Sequence, residues 1–317
     1  MSIVIKNHTR LVILIFFCLR MDHFGQSASM ETILESKSKQ PTEAESNQIN
    51  KNLIYRENVA TNGEEVIQTQ PSQPWTIVPT YSWSFFNKGR DSWQKESIDL
   101  YYHPKKYLLL GTSIDLTQRP PTGDDIMYSF NASWYPCKEL ELHGEISHTP
   151  DPIFSPNEIY SVGFEYMLNA QVSLLFDLER LNYNSNDIAY EDDITQISPG
   201  ISYWFTEKSF ITMRYTHGWV HSETDFDYYS AAVTLGNMPY NAQLTLGFAY
   251  GTDPDLDFGS GVTTLSNAYT LSIYYKQPIN PDLSVFAGLE YVYRMRPDND
   301  GQLYQKLTPT IGLSWKF

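Results

Sequence analysis

The chain has 317 residues and a formal net charge of −15, from 22 Lys+Arg against 37 Asp+Glu. It is rich in rings, with 23 Tyr, 16 Phe and 7 Trp, yet its mean hydropathy is −0.38. The acidity excludes a nucleic-acid binder, which needs clustered Lys and Arg to neutralise phosphates, and the rings exclude disorder over most of the chain.

Lys6 and Arg10 precede a short apolar run, Leu11 to Leu19, and small residues follow at Ser27, Ala28 and Ser29. That order is the order of a secretory signal peptide over residues 1–29. The run is too short for a spanning helix, which needs about 20 residues. Cys18 follows the bulky Ile15, Phe16 and Phe17, which does not fit a lipid-attachment site. Residues 30–74, rich in Glu, Gln, Ser, Asn and Thr, read as a flexible periplasmic tether or a plug. Past the leader only Cys137 remains, so no intramolecular disulfide is expected.

All 7 Trp and every Tyr except Tyr55 lie from Trp75 onward, and there the period of the sequence becomes two. Leu108, Leu110, Thr112, Ile114 and Leu116 alternate with Leu109, Gly111, Ser113, Asp115 and Thr117. Tyr128, Phe130, Ala132 and Trp134 do the same against Ser129, Asn131 and Ser133; Val172 to Glu179 and Leu244 to Tyr250 repeat it. Such segments are strands with unlike faces. About fourteen are expected, with twelve as the alternative count. They start near Thr76, Trp93, Tyr107, Ile126, Leu140, Ile159, Gln171, Ile194, Phe210, Tyr228, Ala242, Ser266, Leu283 and Leu303.

Alternation alone would also suit a soluble sandwich, but the connections are sorted. Long ones (87–92, 119–125, 148–158, 184–193, 222–227, 253–265, 296–302) alternate with short ones (104–106, 136–139, 169–170, 207–209, 239–241, 278–282). Long outer loops and short periplasmic turns are the plan of an up-and-down outer-membrane barrel. An even strand number puts both ends of the barrel chain on the short-turn side. Most acids fall in the long loops, whereas Lys105, Lys106, Lys138 and Lys208 mark the short turns. The C-terminus adds a polar, glycine, hydrophobic and aromatic pattern at Thr310, Gly312, Trp315 and Phe317, which resembles the signal by which such barrels are recognised for assembly. The expected fold is therefore all-β: a transmembrane antiparallel barrel over residues 75–317.

The start of the second strand (Ser92-Trp93-Gln94-Lys95-Glu96), the loop segment His148 to Pro156, the following Gly163 to Tyr166 and the closing Gly312 to Phe317 together resemble the YaiO-type outer-membrane β-barrel family. The resemblance covers roughly residues 76–317. It implies an integral outer-membrane protein, porin-like and non-catalytic, a pore or accessory for export of an envelope polysaccharide. It also implies as partners the outer-membrane lipids with lipopolysaccharide, and the barrel-assembly machinery.

Three groups of residues carry candidate chemistry. His217, in Tyr215-Thr216-His217-Gly218-Trp219, shares the lipid-facing parity of Ile211 and Met213; with a serine it could act as base in a lipase or deacylase, and otherwise it is a girdle residue. Asp253, Asp255 and Asp257 have the spacing that begins a Ca²⁺ loop, but the glycine is displaced to Gly259 and Thr264 stands where the closing Glu belongs. Asp99, Asp115, Glu141, Glu145, Glu165, Asp177 and Glu290, with Arg214, Lys276 and Arg294, fall on the lumen parity. These charges either tune an aqueous path or pair and close it, and strand number does not decide: about 8 strands fill with side chains and about 16 leave a channel. No Walker loop, nucleophile elbow, zinc spacing or dinucleotide fingerprint occurs, so no cofactor is expected.

Overall fold

The computed structural model describes residues 74–87, 91–184, 191–220, 224–236, 238–254, 265–296 and 301–317. Residues 1–73, the 255–264 loop and the 297–300 connection with Asp298 and Asp300 lie outside the described residues.

Alternating apolar and small polar residues make strands here because each strand borders two unlike media. The strands are β1 (Trp75–Phe86), β2 (Trp93–Lys105), β3 (Leu108–Arg119), β4 (Gly123–Cys137), β5 (Leu140–His148), β6 (Glu158–Asn169) and β7 (Val172–Asn184). They continue as β8 (Glu191–Thr206), β9 (Ser209–Val220), β10 (Thr224–Leu235), β11 (Gln243–Pro254), β12 (Leu265–Pro278), β13 (Leu283–Met295) and β14 (Gln302–Lys316). Every neighbour pairs antiparallel and β1 pairs β14, so the sheet closes into a fourteen-strand barrel. The count is fourteen, not twelve. At the seam the Trp75 N–H donates to the Phe317 carbonyl (3.2 Å) and the Phe317 N–H to the Trp75 carbonyl (3.0 Å). Closure leaves no unpaired strand edge.

The sorting of loop lengths is looser than expected. Strands β3–β4 and β9–β10 stay paired almost to their tips, through Arg119↔Gly123 and Val220↔Thr224. Conversely, the β10–β11 connection is not a two-residue turn, since it holds a short 3-10 turn at Pro239–Asn241. Tyr240 (φ 62°) and Asn241 (φ 56°) bring the chain back there in the left-handed region.

The two faces differ as the alternation requires. Outward side chains include Ile98, Ile114, Phe130, Ile146, Val162, Leu271 and Ile311, all exposed, with Ile146 and Val162 at 57% and Ile311 at 58%. A soluble surface rarely carries so continuous an apolar belt; hydrocarbon is the medium that covers one. Tyr215, Tyr229, Tyr250, Tyr269 and Tyr293 stand in direct cross-strand register on β9 to β13, with ring centroids of successive contacting pairs at 5.2, 4.9 and 6.3 Å. They form an aromatic band on the half of the outer wall toward the long loops.

Inward side chains are small and hydroxylated, and their hydroxyls pair across strands. Ser84 meets Thr308 (2.9 Å), Ser147 donates to Ser129 (2.8 Å) and Ser198 meets Thr216 (2.7 Å), as buried hydroxyls must. Two apolar clusters lie inside the barrel. Val78, Tyr101, Leu109, Tyr274 and Phe286, with Phe210 against them, sit toward the short-turn end. Ile194, Val220, Phe226 and Tyr228, with Leu181 and Tyr183, sit toward the long-loop end.

Candidate functional site: a lumen lined with sorted charge

The predicted lumen charges all belong to inward-facing register positions. At the centre of one wall, Asp177 on β7 receives a bond from Arg214 on β9 and contacts His143 Nε2 on β5 at 2.7 Å. These strands are next-but-one neighbours. The side chains meet because glycines occupy the strands between them. A Cβ on Gly163 of β6 would stand 2.3 Å from Asp177 Oδ1 and 2.5 Å from His143 Nε2, and one on Gly200 of β8 would stand 2.7 Å from Arg214 Cγ. Glu141 Oε1 lies 3.8 Å from His143 Nδ1. On the far side, Glu290 and Lys306 approach to 3.8 Å and Arg294 donates to the Ser266 hydroxyl at 2.6 Å. Lys95 meets Asp115 at 3.2 Å. Asp115, Asp177, Arg214 and Glu290 each stand in an ion pair. His143, Lys95 and Lys306 were missed by sequence reasoning, although the same inward parity marks all three.

The signs are not mixed evenly around the ring. Asp99, Asp115, Glu141, Glu145, Glu165 and Asp177 stand on β2, β3, β5, β6 and β7, whereas Arg214, Lys276, Arg294 and Lys306 stand on β9, β12, β13 and β14. In a closed ring of this order, β5 lies opposite β12, β6 opposite β13 and β7 opposite β14. One half of the wall is predominantly acidic and the facing half predominantly basic.

The long-loop end is covered in part by residues 149–157, which fold inward. Asp125, predicted as a loop residue, instead lies on β4 and is 3% exposed. It accepts the N–H groups of Ile153 (2.8 Å), Phe154 (3.0 Å) and Ser155 (2.7 Å). The Arg119 guanidinium is sandwiched between the rings of Trp93 (3.9 Å) and Phe154 (4.0 Å), a favourable cation–ring geometry. Gly123, at φ 141°, permits the close approach, since a Cβ there would meet Ile153 Cδ1 at 2.5 Å. Asp125→Ala removes an acceptor from three N–H groups, each worth about 1.5–3 kcal/mol to a charged partner. Limited proteolysis should then cleave residues 149–157 at least about tenfold faster while the heat-modifiable barrel persists. Unchanged cleavage would show that the loop is held by other contacts.

His217 lies on the outer wall, with Nδ1 2.9 Å from Asp227 Oδ1. Tyr215 donates its hydroxyl to the same oxygen at 2.5 Å, and the Trp219 ring centroid lies 5.4 Å from that of His217. An acid and a base are therefore together, but no serine is among the partners of His217 within the described residues. Ser222 lies outside them. Asp255 and Asp257 also lie outside the described residues, as does the side chain of Asp253. Thr310 and Gly312 face the lumen, while Trp315 and Phe317 face outward with ring centroids 5.3 Å apart.

No protein-family model matches the chain, and no curated protein matches it either. Among solved structures it is similar to the CymD monoaromatic hydrocarbon channel, at TM-score 0.55 and 10% identity over 78% of this chain and 90% of that one. It is likewise similar to the TodX deltaS2S3 mutant monoaromatic hydrocarbon channel, at TM-score 0.56 and 8% identity over 77% of this chain and 91% of that one. At such identities the likeness establishes the fold, a closed barrel of the kind found in outer-membrane channels.

Proposed function

We propose that the protein is an integral outer-membrane barrel of a bacterial envelope, of the YaiO type, that forms a pore for a polar permeant. In this reading the long loops face outward and the short turns and the start of β1 face the periplasm. The observation that carries it is the pairing of an apolar outer belt with a charged lumen in one closed fourteen-strand sheet: a wall that only needed to be filled would not carry ionised groups inside. An envelope polysaccharide is the candidate cargo, on the family resemblance alone. Residues 30–74 precede β1 at the short-turn end and are long enough to reach into the lumen, so the same reading makes them a removable plug.

The test is planar-bilayer conductance of the mature protein with and without residues 30–74. Small or rare steps in the mature protein, and stable steps after the deletion, are expected. Silence from both proteins, each verified as heat-modifiable barrel, would overturn the pore reading.

A further inference from the structure

Resting on the reading of residues 30–74 as a plug, the inner wall offers that plug a seat. We infer that the apolar patch at the short-turn end of the lumen is the docking site of the chain's own Leu53-Ile54-Tyr55.

The patch departs from the rest of the wall. Most inward positions carry hydroxyls or charge, whereas Val78, Tyr101, Leu109, Phe210, Tyr274 and Phe286 pack together near the short turns. Two of these rings lie back over glycines and do not cross the bore. A Cβ on Gly288 would stand 3.1 Å from Tyr274 Cδ2, and one on Gly312 would stand 2.3 Å from Phe286 Cζ. Between Phe210 and Tyr274 the same cross-strand row holds Thr234 and Thr245. The result is an apolar lining, not a septum.

That lining is nevertheless buried. Val78 is 1% exposed and Leu109 2%, and Tyr304, toward the long loops, is 0% exposed. Tyr101, Tyr274 and Tyr304 each take part in further polar or ring interactions. About 8 strands fill with their own side chains and about 16 leave a channel. A fourteen-strand wall whose rings rest against it needs another segment to cover them.

The chain supplies one at the right place. The Pro74 carbonyl accepts the His103 N–H at 2.7 Å, which fixes the end of the tether at the short-turn rim. Val78 lies four residues beyond Pro74, about 13 Å along β1. Tyr55 precedes Pro74 by 19 residues, and a flexible link of that length spans about 22–26 Å. It can therefore turn back over the rim and reach the lining. Within residues 30–73 only Leu53-Ile54-Tyr55 sets three apolar residues in a row. Docking removes apolar surface of both partners from water, and the short link holds them at an effective concentration of about millimolar.

The test is trypsin digestion of the mature protein refolded in detergent, with the cut sites read by mass spectrometry. Lys37 and Lys39 lie outside the docked stretch, whereas Lys51 and Arg56 flank it. Lys51 and Arg56 are expected to be cut at least about tenfold more slowly than Lys39, since cleavage follows the fraction of time the segment is free. The Leu53→Ser/Ile54→Ser/Tyr55→Ser variant should bring these rates together, and it alters no barrel residue on which assembly depends. A peptide of residues 46–60 with a photoreactive group at position 54, added to the protein lacking residues 30–74, should attach to the wall near the short turns. Equal cutting of Lys39 and Arg56 in the unaltered chain would overturn the docking site. So would protection that survives the triple substitution, or attachment of the peptide at the long-loop end. Conductance reports on the pore separately. Silence from the protein lacking residues 30–74 would overturn the pore, while protection of Lys51 and Arg56 would still uphold the docking site.

Discussion

Asp177→Ala is expected to destabilise the barrel by about 3–5 kcal/mol, the usual consequence of leaving one member of a buried ion pair without its partner. The side chains of Asp177 and Arg214 are 9% and 11% exposed, so solvent does little to soften the loss. Asp177 also anchors His143 at 2.7 Å, and its removal leaves both bases facing a gap above Gly163. The measurement is the urea midpoint of the heat-modifiable form in detergent. The double variant Asp177→Ala/Arg214→Met should regain most of the loss, because replacing both members of a buried pair by apolar groups is close to neutral. A single variant within about 1 kcal/mol of wild type would mean that the pair is solvated in practice, since exposed pairs contribute no more than that.

Gly312→Val should impair closure of the barrel more than any outward-facing change of the same size. A Cβ at Gly312 would stand 2.3 Å from Phe286 Cζ and 2.7 Å from the Pro79 carbonyl of β1. The ring has little freedom, being 5% exposed in the cluster with Val78, Tyr101, Leu109 and Tyr274, and the carbonyl belongs to the strand that completes the seam. Overpacking of this kind costs about 1–3 kcal/mol where the surroundings yield and more where they do not. The glycine thus has a packing role besides its place in the terminal pattern, and refolding purified protein in detergent separates the two. A packing defect persists without assembly machinery and is partly relieved by Phe286→Ala. If Gly312→Val refolds normally in detergent yet fails to assemble in cells, recognition is its whole role. Deleting Phe317 removes two seam hydrogen bonds with Trp75 and should lower the yield under both conditions.

The lumen residues were legible one at a time because side-chain direction in a strand depends only on parity. Asp99 and Asp115 could be assigned inward from their own strands, as could Glu165 and Lys276. Asp125 could not, since nothing local shows that β4 begins at Gly123 before the apolar residues do. The same limit hid the inward fold of residues 149–157. Their hold on the barrel comes from a carboxylate and a guanidinium on other strands, and the loop's own residues say nothing of either. The turn at 236–242 was read as short because Pro239 and Asn241 signal a turn without signalling its length.

What the sequence determined by itself was the class of fold: an all-β chain, the two unlike faces and the approximate ends of each strand, all of which follow from a period-two pattern that each segment carries alone. Only the tertiary structure decided which charges meet. Closure of the ring sets β5 against β12 and β7 against β14, and lumen glycines let Asp177 reach Arg214 across an intervening strand. Those are relations between positions far apart in the chain, and a periodicity within one strand cannot contain them.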